Sequence, residues 1–228
     1  MQTTVTFLDN PWTLLGVVGG LIFYGRFYVQ WIASEIQRRS VVPVVFWYMS
    51  SIGSLMLLAY AAVVQSPVGA LGQCLNIIIY SRNLVHIWRG NGRLSERMSV
   101  IFHVVVGLVA AVGIGIVVYT WFREYTISQA AQPEQTRQTW LWLSIGLAGQ
   151  ALFASRFLVQ WIATERRRKS VVPPAFWYLS ILAASLQVGC FVQREEWVFA
   201  VGMLATILIY GRNIYMILRP RHSVDAEE

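Results

Sequence analysis

The 228 residues are 56% hydrophobic and only 13% charged, with a net charge of +7. A soluble domain is nearer a quarter charged, so this balance argues against a water-soluble protein and for a chain that spends most of its length in lipid. Cys74 and Cys190 are too few for a disulfide framework or a metal set and read as small apolar packing residues.

The opening MQTTVTFLDNP has no Lys or Arg and leads into a run long enough to span, so no cleavable leader is expected. Apolar segments at 12–33, 43–64, 68–88, 99–121, 139–161, 172–192 and 196–217 each approach or exceed the roughly 20 residues a membrane helix needs. They are continuously apolar and do not alternate as barrel strands do. Pro43, Pro67, Pro173 and Pro174 stand at or near helix beginnings, where a missing amide costs little. The fold class is therefore an all-α polytopic membrane protein with seven transmembrane helices.

Charge placement explains the basic total. One set of connections carries eleven Lys and Arg, including Arg38, Arg39, Arg89, Arg93, Arg97, Arg166, Arg167 and Lys169; the opposite set carries only Arg123, Arg137 and Arg194. The positive-inside rule then places the N-terminus outside and the C-terminus in the cytoplasm. The charge sets topology, and no nucleic-acid partner is expected.

The chain also repeats itself. GRFYVQWIASEIQRRSVVPVVFWYMS at 25–50 and SRFLVQWIATERRRKSVVPPAFWYLS at 155–180 agree at 17 of 26 positions, with an offset of 130. The same offset aligns GQCLNIIIYSRNLVHI at 72–87 with GMLATILIYGRNIYMI at 202–217. The expected division is a first three-helix unit at 12–90, a linker helix at 99–121 and a second unit at 139–218. Four crossings separate the unit starts, so the repeats run parallel in a 3+1+3 arrangement, as in transporters with a cavity between halves.

The segments VQWIASE, SVVPVVFWYMS and IIIYSRN resemble the lipid A biosynthesis N-terminal domain family, over about 15–88 and again 145–218. That family is similar in architecture to the PQ-loop and SWEET transporters, although the Pro-Gln pair is absent here. The resemblance implies a bacterial inner-membrane protein that handles lipid-linked sugars such as undecaprenyl phosphate derivatives, near a membrane glycosyltransferase. The chain has no room for the soluble lipid-A-disaccharide synthase fused to some members, so no synthase activity is carried over.

Arg26 and Arg156 match in the first helix of each unit, and Arg82 and Arg212 in the third. All four fall about 8–12 Å from the expected cytoplasmic helix ends, where an arginine needs water, a partner or a headgroup. Gln30 and Gln160 lie one turn beyond the first pair, on the same face. Asn83, Asn213, Tyr80 and Tyr210 are doubled as well, and Glu35, Glu165, Trp47 and Trp177 form a candidate gate at the cytoplasmic ends. A planar guanidinium fork suits phosphate oxygens better than a neutral sugar. The expected function is a transporter or flippase for an anionic lipid-linked sugar or polyprenyl-phosphate lipid, with the four arginines facing one cavity. Two alternatives stay open: a non-catalytic partner of a glycosyltransferase, and an integral-membrane transferase. No catalytic residue, cofactor or metal is expected. His103, which has no repeat counterpart, reads as a satisfied core histidine.

Overall fold

Local signals set the helix starts. Asn10 accepts from the Trp12 amide before Pro11, and Ser66 accepts from the Gly69 amide before Pro67. In the computed structural model, residues 10–37, 42–92, 95–167 and 173–218 are described. They form α1 (Pro11–Ile36), α2 (Val44–Val63), α3 (Pro67–Gly90), α4 (Glu96–Ala130), α5 (Pro133–Arg167), α6 (Pro174–Gln193) and α7 (Trp197–Leu218). Several basic residues used for orientation, among them Arg38, Arg39, Arg93, Arg168, Lys169, Arg219 and Arg221, lie outside the described residues.

Among the described residues, six helices are long and apolar enough to cross a membrane. The exception among the expected spans is α3, whose sequence carries Gln73, Asn76, Arg82, Asn83, His86 and Arg89. Gln73 and Asn76 face an internal chamber, so part of this polarity is turned away from the lipid side. The expected loop at 122–138 is also helical except near Ala131 and Gln132. Neither Gly nor Pro interrupts 116–132, so α4 continues to Ala130, and Ala131 turns to extended backbone shortly before Pro133. At 35 residues each, α4 and α5 are about 52 Å long, well beyond the hydrocarbon thickness of about 30 Å.

Within each matched triple, the second helix packs on both the first and the third. Across the triples α1 meets α7 and α3 meets α5, while α4 rests mainly on α3. Only 6% of the most apolar stretch of α4 is buried, as expected for a helix facing lipid.

Two contacts locate the relation between the triples. Ser66 donates to Glu196, its own counterpart at the offset of 130. A Cβ on Gly69 would fall 2.8 Å from the ring of Phe199, again its counterpart. A residue that touches its own counterpart lies on the axis relating the two copies. The beginnings of α3 and α7 therefore converge on that axis.

Candidate functional site

Between the triples lies a chamber of about 280 Å³, lined from α1, α3, α5, α6 and α7. The first helices bring Arg26 and Arg156 to it, and the third helices bring Tyr80 and Tyr210. Arg26 Nη2 donates to the Tyr80 hydroxyl at 3.0 Å, and Arg156 Nη1 donates to Tyr210 at 3.3 Å and to Ser180 Oγ at 3.0 Å. The copies thus use the same hydrogen bond, spanning 54 residues in each. Trp47 packs on Tyr80 and Trp177 on Tyr210, with centroids 6.2 and 6.1 Å apart.

Aromatic rings hold the guanidinium groups in place. The Arg26 Cζ lies 3.5 Å from the Phe23 ring centroid and within 5.4 Å of those of Phe27 and Phe46. Arg156 is 4.4 Å from Phe153 and 5.1 Å from Phe176. Such contacts contribute about 0.5–2 kcal/mol each, which does not replace the hydration of a buried cation. Arg26 is only 5% exposed, and its Nε and Nη1 have no partner among the described residues. No Asp or Glu lines the chamber among the described residues. Two cations thus face one space without a lining carboxylate, and an anion accepting two or more N–H bonds is the chemistry that completes it.

Amides occupy the other end. Gln73, Asn76, Gln150, Gln187 and Thr206 line it, with the rings of Phe191 and Phe199. Gln150 Nε2 donates to the Val68 carbonyl at 3.2 Å, and Asn76 Oδ1 accepts from Tyr80 at 3.3 Å. Gln187 is fully buried, and neither its Nε2 nor its Oε1 has a partner among the described residues. An unsatisfied buried amide group costs about 1–3 kcal/mol.

Beyond the amides, the α2–α3 and α6–α7 turns pack against each other. Gln65 and Glu195, counterparts in the two turns, both take positive φ, at 57° and 58°. Glu196 is 4% exposed and receives bonds from Ser66 and from Arg194 Nε, the latter at 2.8 Å. Arg194 also bonds Glu124 of α4 at 3.1 Å and the Gln65 carbonyl at 3.2 Å. Burial pushes the Glu196 carboxyl above its ordinary value, against the pull of Arg194 and Ser66. Burial opposes the Arg194 charge, but Glu124 and Glu196 hold its guanidinium above the ordinary value.

The other sequence-derived residues fall outside the chamber. Arg82 is exposed, and Arg212 sits at the α1–α7 seam, so two of the four arginines expected in one cavity line it and two do not. Arg212 Nη2 bonds Glu35 at 2.6 Å, linking the copies, and Trp31 Nε1 donates to the same carboxylate. Glu165, its counterpart, is exposed and forms no ion pair with Arg82 among the described residues. Asn83 and Asn213 turn back to the carbonyls of Ile79 and Ile209, each at 2.8 Å. Gln30 and Gln160 are half-buried and do not line the chamber. A second recess of about 210 Å³ along the α1–α7 seam is lined by Phe27, Tyr28, Trp31, Leu208, Ile209 and Arg212.

Gln187, Gln150 and Glu196 were not singled out in the sequence. A signal was present in the departures from the repeat: their counterparts are Leu57, Gly20 and Ser66. Polar residues that replace apolar or small ones in only one copy mark where the copies have separate tasks.

No solved structure matches the chain. Proteins named lipid-A-disaccharide synthase are similar to it: that of Chlamydia trachomatis serovar D is 29% identical over 204 residues, covering 88% of this chain and 32% of its own. The protein of that name from Chlamydia abortus is 28% identical over 206 residues, covering 88% and 31%. The chain therefore spans about a third of the length of these curated relatives. The family described as Lipid A Biosynthesis N-terminal domain matches twice, at residues 15–85 and 145–215, the two stretches that contribute Arg26 with Tyr80 and Arg156 with Tyr210. By that match, which takes in more than half of its length, the chain belongs to the Lipid A Biosynthesis N-terminal domain family.

Proposed function

We propose that the protein carries the anionic head of a phosphate-bearing lipid, of the lipid-linked sugar or polyprenyl-phosphate class, between the leaflets of a bacterial inner membrane. The supporting observation is the chamber itself: two repeat-related guanidinium groups face one internal space whose described lining holds no carboxylate. A phosphate accepts from both, and Tyr80 and Tyr210 are positioned beside it to donate or accept. Phe27 lines both this chamber and the apolar seam recess. That continuity suits a ligand with its head inside and its hydrocarbon tail along α1 and α7.

On this reading the chain is a 3+1+3 carrier of the SWEET type, with α3 as its seventh span, and its two triples rock about the axis through Ser66 and Glu196. The ion pair between Glu35 and Arg212 closes one seam at the ends of α1 and α7, while the corresponding α3–α5 seam is left unlatched. Arg82 and Arg212, at headgroup depth, draw the phosphate toward the opening. The family name and the names of the Chlamydia relatives support a lipid of lipid A or related envelope polysaccharide synthesis as the cargo.

The test is reconstitution of the full chain in vesicles, with a leaflet-specific assay of a fluorescent isoprenyl phosphate. The double substitution Arg26→Gln and Arg156→Gln is expected to abolish accelerated movement, and Arg82→Gln to leave at least half of it. Movement that survives the double substitution removes the proposed role. Chemical conversion of the lipid in the same vesicles would indicate a transferase instead.

One observation favours a second reading. The lipid-A-disaccharide synthases share this membrane region as about a third of their length, so the unit serves there beside further chain. A unit of this kind acting as a membrane partner of a glycosyltransferase would stimulate that enzyme in detergent, where transport has no meaning.

A further inference from the structure

We infer that the amide end of the chamber is a binding site for a hydroxyl-bearing group attached to the phosphate, so that the ligand is a glycosyl phosphate ester and not a bare lipid phosphate. This inference rests on the anion site proposed above and adds to it the substrate class.

Spacing gives the first argument. Ser180, which receives Arg156, lies seven residues before Gln187 on α6, and Gln73 lies seven before Tyr80, which receives Arg26. Seven residues are two turns, so each amide lies on the same helix face as its arginine partner and about 10 Å farther along. A phosphate held by the arginines therefore leaves room for a pendant group reaching the amides.

Chemistry gives the second. Gln187 is fully buried, lines the chamber and has both amide atoms unpartnered. Its Oε1 requires a donor, which an ionised phosphate and a hydrocarbon tail both lack. A hydroxyl supplies donor and acceptor together, and several hydroxyls on one ring suit amides projecting from different helices. Phe191 and Phe199, stacked with centroids 5.1 Å apart, line the same end and offer an apolar surface to the C–H face of a pyranose.

The third argument is asymmetry. Arg26 and Arg156 are repeats of each other, as a symmetric anion requires. Gln73, Asn76, Gln150 and Gln187 answer to Met203, Thr206, Gly20 and Leu57. A symmetric phosphate end joined to an asymmetric amide end fits a ligand whose phosphate bears one chiral substituent.

Two synthetic monoanions separate the claims: geranyl glucosyl phosphate and geranyl methyl phosphate, which carry the same charge and tail. Binding to the full chain in nanodiscs is expected to favour the glucosyl ester by about tenfold. Gln187→Leu should remove that preference while changing methyl-ester affinity by less than about twofold, and Gln73→Met should reduce it. Each substitution installs the residue that the other repeat already carries, and the pair covers the case in which one variant fails to fold. Arg26→Gln should weaken both esters alike. Equal affinities for the two esters in the unsubstituted chain, or a preference that survives both substitutions, overturns the inference and leaves the anion site standing. Failure of the unsubstituted chain to bind either ester overturns both.

Discussion

The arginine end and the amide end of the chamber differ in how they use the duplication. At the first, both copies present the same bond, Arg26 to Tyr80 and Arg156 to Tyr210, with the same tryptophan behind each tyrosine. At the second, the copies diverge, and polar atoms stand on one side where apolar or small residues stand on the other. A duplicated scaffold supplies two identical cations at no added complexity. Recognition of anything lacking that symmetry must come from positions where the copies have parted.

The largest expected effect tests how far matched positions are interchangeable. Gly72 and Gly202 are counterparts, but a Cβ at 202 would lie 1.8 Å from Tyr24 Cε2, wedged against a buried ring, whereas at 72 it meets the Gln150 amide at 2.5 Å, the end of a flexible side chain. Gly202→Ala should cost about 3 kcal/mol or more and Gly72→Ala about 1 kcal/mol, read as thermal unfolding in detergent. Equal losses would mean that the α1–α7 contact yields more readily than the ring geometry allows.

Next come the arginines. Arg26→Gln and Arg156→Gln should each weaken binding of an isoprenyl phosphate by about 10- to 100-fold, the range for a lost charge-assisted bond. Neither should lower thermal stability strongly, because Arg26→Gln relieves a buried cation of its desolvation penalty and Arg156 is only half-buried. A loss confined to one of them would break the equivalence of the two copies.

The turn cluster predicts a pH effect of intermediate size. Burial raises the folded-state pKa of Glu196, so its protonated form is favoured by folding. The stability this confers is present below the ordinary carboxylate range and is lost as pH rises through the raised value. Melting temperature should therefore fall across that window in the native chain. Glu196→Gln, which cannot ionise, should flatten the profile; an unchanged slope would assign the pH dependence to another group.

The smallest effect concerns the seams. Glu35 and Arg212 are 61% and 35% exposed, so Glu35→Gln should change stability by no more than about 0.5 kcal/mol. If the ion pair acts as a latch, lipid entry should nevertheless quicken. Glu165→Gln, at the unlatched seam, should change neither.

Much of this architecture was legible beforehand. Apolar run length, prolines at helix starts and the offset of 130 act locally or are visible by inspection, and they gave seven helices and the pairing of Arg26 with Arg156 and of Tyr80 with Tyr210. Apolar length marks the spans but not the helical extension through 122–138, because backbone continuity depends on breakers, and none occurs between 116 and 132.

Sequence alone determined which residues are equivalent, since equivalence is a property of the text. It did not determine which of them meet. Arg26, Arg82, Arg156 and Arg212 have the same side chain at similar depth, yet two line the chamber while one reaches across a seam and one is exposed. Helix rotation decides this, and rotation is fixed by close contacts such as Gly53 against Phe23 and Gly202 against Tyr24. Those contacts join residues far apart in the chain, and so does the burial of Glu196 beneath Ser66. Only tertiary packing, which sums many small contacts between distant segments, selects among faces that the local sequence leaves equally available.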